Sequence, residues 1–254
     1  RFLGHCRQLK LEGEAVSRLN RFVSLLVAAV RDRADAVLVA ERVLSVATSV
    51  TRRSAYLSLL NEQPAALQRL IDIAAASDSV IRRLSAYPLL LDELLDTDEA
   101  AVNLDRDMLS ERLSRMLSEV RDDDVEAEMH VLIRFAQAAW FRIAAADCLG
   151  YMPIMKVSDR LCDVAELILD ACLRIAWTDL VKLTGLPAGV TGKDHKFGIV
   201  GYGKLGGLEL GYGSDLDIVF LHDLPDGETA GPQVIDNQQF VTRLARRLVS
   251  FLAI

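Results

Sequence analysis

Apolar residues recur every three or four positions along most of the chain, which is the spacing of helices that bury one face. Residues 22–30 and 67–74 are two examples of this pattern. Pro64 and Pro88 each begin such a stretch, since a proline at the first helical position gives up only an N–H that has no helical partner there. Up to about residue 185 the pattern predicts helices and hardly any strands.

Two longer helical patterns follow in this region. The first comes directly after the acidic residues 122–124, whose charge suits the positive end of a helix dipole, and covers residues 125–149. The second begins at Ser158, a candidate N-cap residue, and continues to about Thr184. Glycine and proline follow each pattern, as they commonly do where a helix ends.

The glycine-rich segment 185–196 separates these helices from a different pattern. Short β-type runs occupy residues 197–200 and 215–221, and the glycine-punctuated turn between them allows a short helix at 204–210. An amphipathic helix is predicted from residue 233 to the end. Its expected buried residues are Phe240, Leu244, Leu248 and Phe251.

Together these patterns predict a fold that is mostly α with a smaller α/β part. We place a helical domain at residues 1–188 and the first part of an α/β domain with a short mixed sheet at residues 189–254. The chain begins with Arg1 instead of Met and ends within a helical pattern. We therefore expect it to be a piece of a longer protein.

The composition narrows the classes of function. The chain of 254 residues is 51% hydrophobic, which is typical of a folded protein, and its net charge of −7 argues against a surface built to bind nucleic acid. No apolar run is long enough for a membrane span, and no signal peptide is visible. The four cysteines form no C-x-x-C pair, which favours free thiols in a reducing compartment, the cytoplasm.

The candidate chemistry lies in residues 197–223, FGIVGYGKLGGLELGYGSDLDIVFLHD. The G-x-G-x-x-G spacing at 201–206 matches a dinucleotide-binding fingerprint, which requires a full helix and then an acid about 20 residues further on. Here Gly211 and Gly213 interrupt any such helix, and the acids come too early. The dinucleotide interpretation is therefore disfavoured.

A metal–nucleotide site explains the segment better. In a strand, Asp215 and Asp217 project from the same face, where two carboxylates repel unless a cation lies between them. Magnesium suits such oxygen ligands, and a glycine turn lets backbone N–H groups approach phosphate. The opposite face is expected to bury Leu216, Ile218 and Phe220. An isolated D-x-D pattern would more simply mark a solvated edge strand; the adjacent glycine turn favours the site.

Each candidate residue has an expected role. Asp215 and Asp217 are the predicted catalytic and metal-binding residues. The predicted nucleotide-binding residues come from the turn and its end: Gly203, Lys204, Gly206, Gly207 and Ser214.

The stretch GYGKLGGLELGYGSDLDIVFLHD resembles the signature of the glutamine synthetase adenylyltransferase family, within the nucleotidyltransferase superfamily of DNA polymerase β. That superfamily's pattern is a hydrophobic residue, Gly, then Gly or Ser, a spacer, and D-x-[DE] on a strand. Tyr202 and Gly203 fit it, as do both aspartates, whereas Lys204 stands where Gly or Ser is usual. The segments SRLNRFVSLL, RRSAYLSLLNEQPAAL, YPLLLDELLD and RIAAADCLGYMPIMKVSD also resemble the family, so the resemblance covers nearly the whole chain.

The resemblance implies transfer of AMP from ATP to a tyrosine of glutamine synthetase, with release of pyrophosphate. It also implies Mg²⁺ held by Asp215, Asp217 and a third carboxylate on a later strand. Because the chain ends before such a strand, we expect it to be nearly inactive alone. The PII signalling protein is the second partner that the resemblance implies.

Family members carry an N-terminal module that removes AMP and a C-terminal module that adds it. The sequence LGYGSDLD…FLHD resembles that of the adding module, and we therefore favour this module. Two alternatives remain open: the AMP-removing module, and a docking fragment for glutamine synthetase or PII. The polar helical residues that could serve docking are equally explained by helix caps and ion pairs: Arg142, Asp147, Lys156, Ser158 and Asp159. An RNA-directed transferase is disfavoured by the acidic charge.

Overall fold

The computed structural model describes residues 13–51, 54–94, 104–121, 124–191 and 195–253. The helices before residue 190 are α1 (Glu14–Val30), α2 (Ala36–Val50), α3 (Ser54–Glu62), α4 (Pro64–Ala76), α5 (Asp78–Ala86), a 3₁₀ helix (Pro88–Leu94), α6 (Arg106–Ser118), α7 (Val125–Cys148) and α8 (Ile154–Thr184). After them come β1 (Phe197–Gly201), the single turn α9 (Gly203–Gly206), β2 (Ile218–His222) and α10 (Asn237–Leu252). This confirms the predicted fold class, and the two described strands are antiparallel.

Two compact units divide the chain. One comprises Arg1–Asn103 with Phe141–Pro153, and the other comprises Leu104–Trp140 with Ile154–Ile254. The expected division into a helical domain and an α/β domain at residue 188 stays a prediction. Among the described helices, none has a stretch long and apolar enough to cross a membrane.

The first unit is built from short helices that bury one face each. α2 packs against α4 and α5, and α1 packs against α3. Pro64 begins α4 as predicted, and the residues that the sequence pattern places on its buried face are buried: Leu67, Leu70, Ile71 and Ala74. Pro88 also begins a helix, but of the 3₁₀ type. Arg42 links α2 to α4, where its Nη1 donates a hydrogen bond to the Ala74 carbonyl at 2.6 Å.

The ends of α7 follow from its sequence. Asp124 accepts a hydrogen bond from the Ala127 N–H through Oδ1 at 3.0 Å, so it caps the helix as an acidic residue should. Residues 122 and 123 of the acidic run lie outside the described residues. At the other end Gly150 takes a positive φ of 73°, and Tyr151 N–H donates to Ala146 O at 2.8 Å. This is the glycine-terminated helix end that residue 150 predicts.

The predicted start of α8 at Ser158 is wrong. The helix begins at Ile154, directly after Pro153, and Ser158 lies inside it. The additional turn contains Val157, which is 1% exposed. Burial of that side chain stabilises a longer helix than the serine signal indicated. The predicted end at Thr184 is confirmed, and Gly185 follows with a φ of 78°.

In the second unit the last helix lies against α8. α10 packs on α8, where the rings of Trp177 and Phe240 meet edge to face at 5.1 Å. Arg247 and Asp179 add an ion pair at 2.5 Å between the same helices. Phe240, Leu244 and Leu248 are fully buried, while Phe251 is half-buried. The predicted apolar stripe of α10 is thus confirmed in its first three members.

The hairpin pairs β1 with β2 from Phe197 opposite His222 to Gly201 opposite Ile218. One face is half-buried and holds Phe197 against Phe220, with ring centroids 5.7 Å apart. The other face is exposed and includes Val219, at 44% exposure. The sequence predicted that Ile218 and Phe220 are buried on this face, whereas both are half-buried in the described hairpin.

Besides α8, three elements have bounds that differ from the prediction. β2 begins at Ile218 instead of residue 215, and α9 is one turn instead of residues 204–210. α10 begins at Asn237 instead of residue 233, because Asp236 caps it by accepting from the Gln239 N–H at 2.7 Å. The residues before this cap are engaged elsewhere: Gln233 N–H donates to Leu183 O at 3.2 Å. Backbone contacts of this kind compete with an earlier helix start.

Candidate functional site

The glycine turn, residues 201–207, follows β1, includes α9 and is crowded at two of its glycines. Gly203 has a φ of 53°, and a Cβ on it would collide with Oδ2 of Asp217. A Cβ on Gly206 would lie 2.6 Å from the carbonyl oxygen of Gly201. Only glycine fits at these two positions, the first because of both its conformation and its neighbour, the second because α9 folds tightly against β1.

Asp217 continues the strand pairing by one residue. Its carbonyl oxygen accepts a hydrogen bond from Tyr202 N–H at 2.7 Å, so the backbone of the turn is joined to the backbone of the aspartate. Asp215 and Asp217 precede β2 in a segment without regular structure, and both are exposed. Leu216, which was expected on a buried face, is 36% exposed. The prediction that residue 216 is buried is wrong because the strand begins two residues later.

The remaining predicted binding residues occupy different places. Lys204 is exposed on α9, and Gly207 ends that turn by donating its N–H to Gly203 O at 3.0 Å. Ser214 closes a turn of its own: its Oγ accepts from Gly211 N–H at 2.9 Å, and its N–H donates to Gly211 O at 3.1 Å. The structure therefore brings Gly203 to Asp217 and assigns Ser214 a turn-closing bond.

Trp140 is a neighbour of this segment that sequence reasoning missed. Its Nε1 donates a hydrogen bond to the carbonyl oxygen of Tyr212 at 3.3 Å. The two rings meet edge to face, with centroids 5.4 Å apart and planes at 71°. The residues are 72 positions apart in the sequence, and Trp140 follows an ordinary helical pattern. No local signal in the sequence pointed to this contact.

A second anchor holds the same segment to α8. Leu210 is 4% exposed, and its backbone forms a hydrogen bond with the thiol of Cys162. Burial raises the pKa of Cys162, and the bond from Leu210 opposes that rise. The segment from α9 to β2 is thus attached to α7 through Tyr212 and to α8 through Leu210.

A cleft of about 340 Å³ lies between α8 and the glycine turn. Its walls are Glu166, Leu169, Asp170, Ile199, Gly201, Leu205, Gly206 and Leu208. Arg106 pairs with Glu166 and, at 3.4 Å, with Asp163, and the hydrogen bond with Glu166 raises the pKa of Arg106. Loss of solvent around the carboxylate raises the pKa of Asp170. The positive charge of Arg106 lowers that pKa, and the negative charge of Glu166 raises it further. These charges belong to the packing of α6 on α8.

The two aspartates fit a hard divalent cation in their chemistry. Both are exposed carboxylates, and the Gly203 position leaves free the space beside Oδ2 of Asp217 that a side chain would take. Within the described ranges no three Asp, Glu, His or Cys side chains come together as a potential metal site. Glu166 and Asp170 therefore do not complete a triad with Asp215 and Asp217.

Comparison with known proteins gives a consistent result. Residues 67–254 match the model of the glutamate-ammonia ligase adenylyltransferase family. The chain is 43% identical over 252 residues to a bifunctional glutamine synthetase adenylyltransferase/adenylyl-removing enzyme of Thioalkalivibrio sulfidiphilus, which covers 97% of this chain and 26% of that protein. It is 44% identical over 238 residues to the enzyme of the same name from Pseudomonas putida. That match covers 92% of this chain and 24% of the Pseudomonas protein. The chain spans about a quarter of the length of these relatives.

Proposed function

Since the chain belongs to the glutamate-ammonia ligase adenylyltransferase family, we propose that the complete protein transfers AMP from ATP to a tyrosine of glutamine synthetase and releases pyrophosphate. The names of the relatives support glutamine synthetase as the protein substrate. The observation that carries the proposal is the close approach of Gly203 to the side-chain oxygen Oδ2 of Asp217, which supports a role of the glycine turn and this carboxylate in one site.

The residues of the turn would bind the nucleotide. Gly203, Gly206 and Gly207 keep side chains away from the turn, so that a phosphate could approach its backbone closely. The N–H groups of Gly206 and Gly207 already donate to Tyr202 O at 3.1 Å and to Gly203 O at 3.0 Å, so these two glycines would contribute space and not hydrogen bonds of their own. Lys204, exposed on α9, supplies a positive charge to the same phosphates. Ser214 contributes indirectly, since its hydroxyl closes the turn that precedes Asp215.

Asp215 and Asp217 would hold Mg²⁺, which when bound neutralises charge on the phosphates and on the attacking oxygen. A tyrosine hydroxyl has a pKa of about 10, so it needs help to lose its proton at neutral pH. The two carboxylates would supply that help by holding the cation, whose positive charge favours loss of the proton. A third carboxylate would come from outside the described residues, because inside them the pair has no such neighbour.

The direction of the reaction is the finer part of the proposal. The relatives carry both activities in their name, addition and removal of AMP. The resemblance of LGYGSDLD…FLHD to the adding module supports addition at this site. The PII signalling protein as a regulator also rests on the family resemblance, and a cytoplasmic location is supported by the free thiols of Cys148, Cys162 and Cys172.

The proposal is tested by following a label in both directions. The complete gene product that contains these residues is incubated with glutamine synthetase, magnesium and ATP labelled at the α-phosphate, or in parallel at the γ-phosphate. Incorporation of the α-label alone into a tyrosine supports AMP transfer. Pre-labelled glutamine synthetase then measures removal. Incorporation of the γ-label would contradict the proposal, and removal without addition would favour the other module.

A further inference from the structure

We propose that Trp140 is a positioning residue for Asp215 and Asp217. This inference rests on the proposed function, because it concerns the same two carboxylates. They lie at the end of a segment, residues 207–217, that has no regular structure between α9 and β2. A catalytic carboxylate on such a segment needs external contacts to hold it, and Trp140 on α7 provides one.

The contact restrains Tyr212 in two independent ways. The hydrogen bond from Trp140 Nε1 to the Tyr212 carbonyl, 3.3 Å long, fixes the main chain. The edge-to-face packing of the rings, at 5.4 Å and 71°, fixes the side chain. Both residues are half-buried, so solvent competes less with the hydrogen bond than it would at an exposed site. A residue held at both main chain and side chain has little freedom to shift.

The restraint reaches the aspartates through a closed turn. Gly211 and Ser214 are joined by two hydrogen bonds, one to Oγ of Ser214 at 2.9 Å and one from its N–H at 3.1 Å. Tyr212 lies inside this turn, and Asp215 follows its last residue directly. A displacement of Tyr212 would therefore be passed to Asp215, while Asp217 remains tied to Tyr202 N–H at 2.7 Å. The spacing between the two carboxylates depends on Trp140.

Trp177 offers a matched control, because it is the other tryptophan of the chain. It is 5% exposed and packs between His195, at 4.4 Å, and Phe240, at 5.1 Å. A tryptophan that only fills the interior should behave like Trp177 when it is replaced. Its loss should lower the melting temperature without a specific effect on metal binding.

The experiment compares Trp140→Phe, Trp140→Leu and Trp177→Phe in the complete gene product. Trp140→Phe keeps a ring and removes the Nε1 donor, whereas Trp140→Leu removes both restraints. Mn²⁺ affinity is measured without turnover, from the electron paramagnetic resonance signal of the free ion. AMP transfer gives kcat and the KM for glutamine synthetase, and thermal melting gives stability.

For Trp140→Phe we expect kcat to fall about tenfold and Mn²⁺ to bind more weakly. For Trp140→Leu we expect kcat to fall about a hundredfold. Small displacements of reacting groups have effects of this size on the rate. The KM for glutamine synthetase should stay unchanged. Trp177→Phe should melt at a lower temperature with Mn²⁺ affinity and kcat near those of the natural protein.

Unchanged Mn²⁺ affinity and kcat in folded Trp140→Phe would overturn the inference, and so would equal losses in Trp140→Phe and Trp177→Phe. If Trp140→Leu does not fold, Trp140→Phe alone decides. Asp215→Asn is included as a reference. Full AMP transfer by that variant would refute the proposed function instead, and the Mn²⁺ affinities of the Trp140 variants would still test the positioning role.

Discussion

Gly203 and Asp217 lie so close that a Cβ on Gly203 would overlap Oδ2 of Asp217. The hydrogen bond from Tyr202 N–H to Asp217 O, at 2.7 Å, holds the two segments at this separation. The turn and the aspartate are therefore one structural unit, although 14 positions separate residue 203 from residue 217. The glycine is required by its neighbour as well as by its own backbone conformation.

Gly203→Ala is predicted to damage this unit. The positive φ of 53° alone disfavours alanine by about 1–2 kcal/mol, and the overlap with Asp217 adds to that penalty. We expect weaker Mn²⁺ binding and a lower melting temperature, measured in the complete protein. Gly213→Ala is the control, because a Cβ there meets nothing within 4 Å. Equal behaviour of the two variants would contradict the close contact.

Asn237→Ala is predicted to destabilise the second unit by about 2–4 kcal/mol, because it removes three hydrogen bonds made by a buried side chain. The Asn237 side chain accepts from Ala188 N–H at 3.1 Å and donates to the carbonyls of Ala188 and Pro225 at 3.0 and 2.8 Å. Urea denaturation checks the loss, and exposed Gln238→Ala serves as the neighbouring control. A change below about 0.5 kcal/mol in Asn237→Ala would argue against this role.

Cys172 is predicted to resist alkylation in the native protein. Burial raises the pKa of its thiol to about 11 from the ordinary value of 9.0, so very little of the reactive thiolate exists near neutral pH. Iodoacetamide labelling followed by mass spectrometry should modify Cys172 only after unfolding in guanidinium. Rapid labelling of the native protein would contradict the burial.

The raised pKa of Cys172 also predicts how the free energy of unfolding changes with pH. The folded state retains the Cys172 proton that the unfolded state loses above about pH 9, so the contribution of this thiol is full below pH 9 and is lost as the pH rises toward about 11. Cys172→Ala should remove that part of the alkaline loss. A variant whose stability falls between pH 9 and 11 as steeply as that of the natural protein would exclude the thiol as the cause.

Residues 1–254 expressed alone are predicted to transfer little or no AMP. Asp215 and Asp217 have no third metal-ligating side chain beside them in the described ranges, and two carboxylates leave a divalent cation weakly held. The measurement is label transfer by equal amounts of this fragment and of the complete protein. Transfer at the rate of the complete protein would show that the fragment already contains a full site.

The spacing of apolar residues and the residues typical of helix ends predicted much of the fold, because both act over a few neighbouring positions. Pro64 begins α4 and Gly150 ends α7 where the sequence indicated. The start predicted at Ser158 is wrong, since burial of Val157 extends α8 toward the N-terminus beyond this candidate capping residue. A capping bond is comparable in free energy to one buried apolar side chain, so such competitions cannot be decided from local sequence.

The candidate site was predictable only in part. The glycine turn and the D-x-D pattern are contiguous, so their pairing is visible in the sequence. The contacts of Trp140 with Tyr212 and of Asn237 with Ala188 join residues that are 72 and 49 positions apart. Such contacts depend on how the helices pack, and neither residue stands out in its own helical pattern.

The role of the two aspartates is tested most directly by replacing both, Asp215→Asn together with Asp217→Asn, in the complete protein. With α-labelled ATP, magnesium and glutamine synthetase, we expect labelling of the tyrosine to fall at least about a hundredfold, since both negative charges are removed without a change in shape. Exposed Asp226→Asn should label glutamine synthetase normally. Undiminished labelling by the double variant would mean that Asp215 and Asp217 do not hold the catalytic cation, and that the chemistry belongs to another part of the protein.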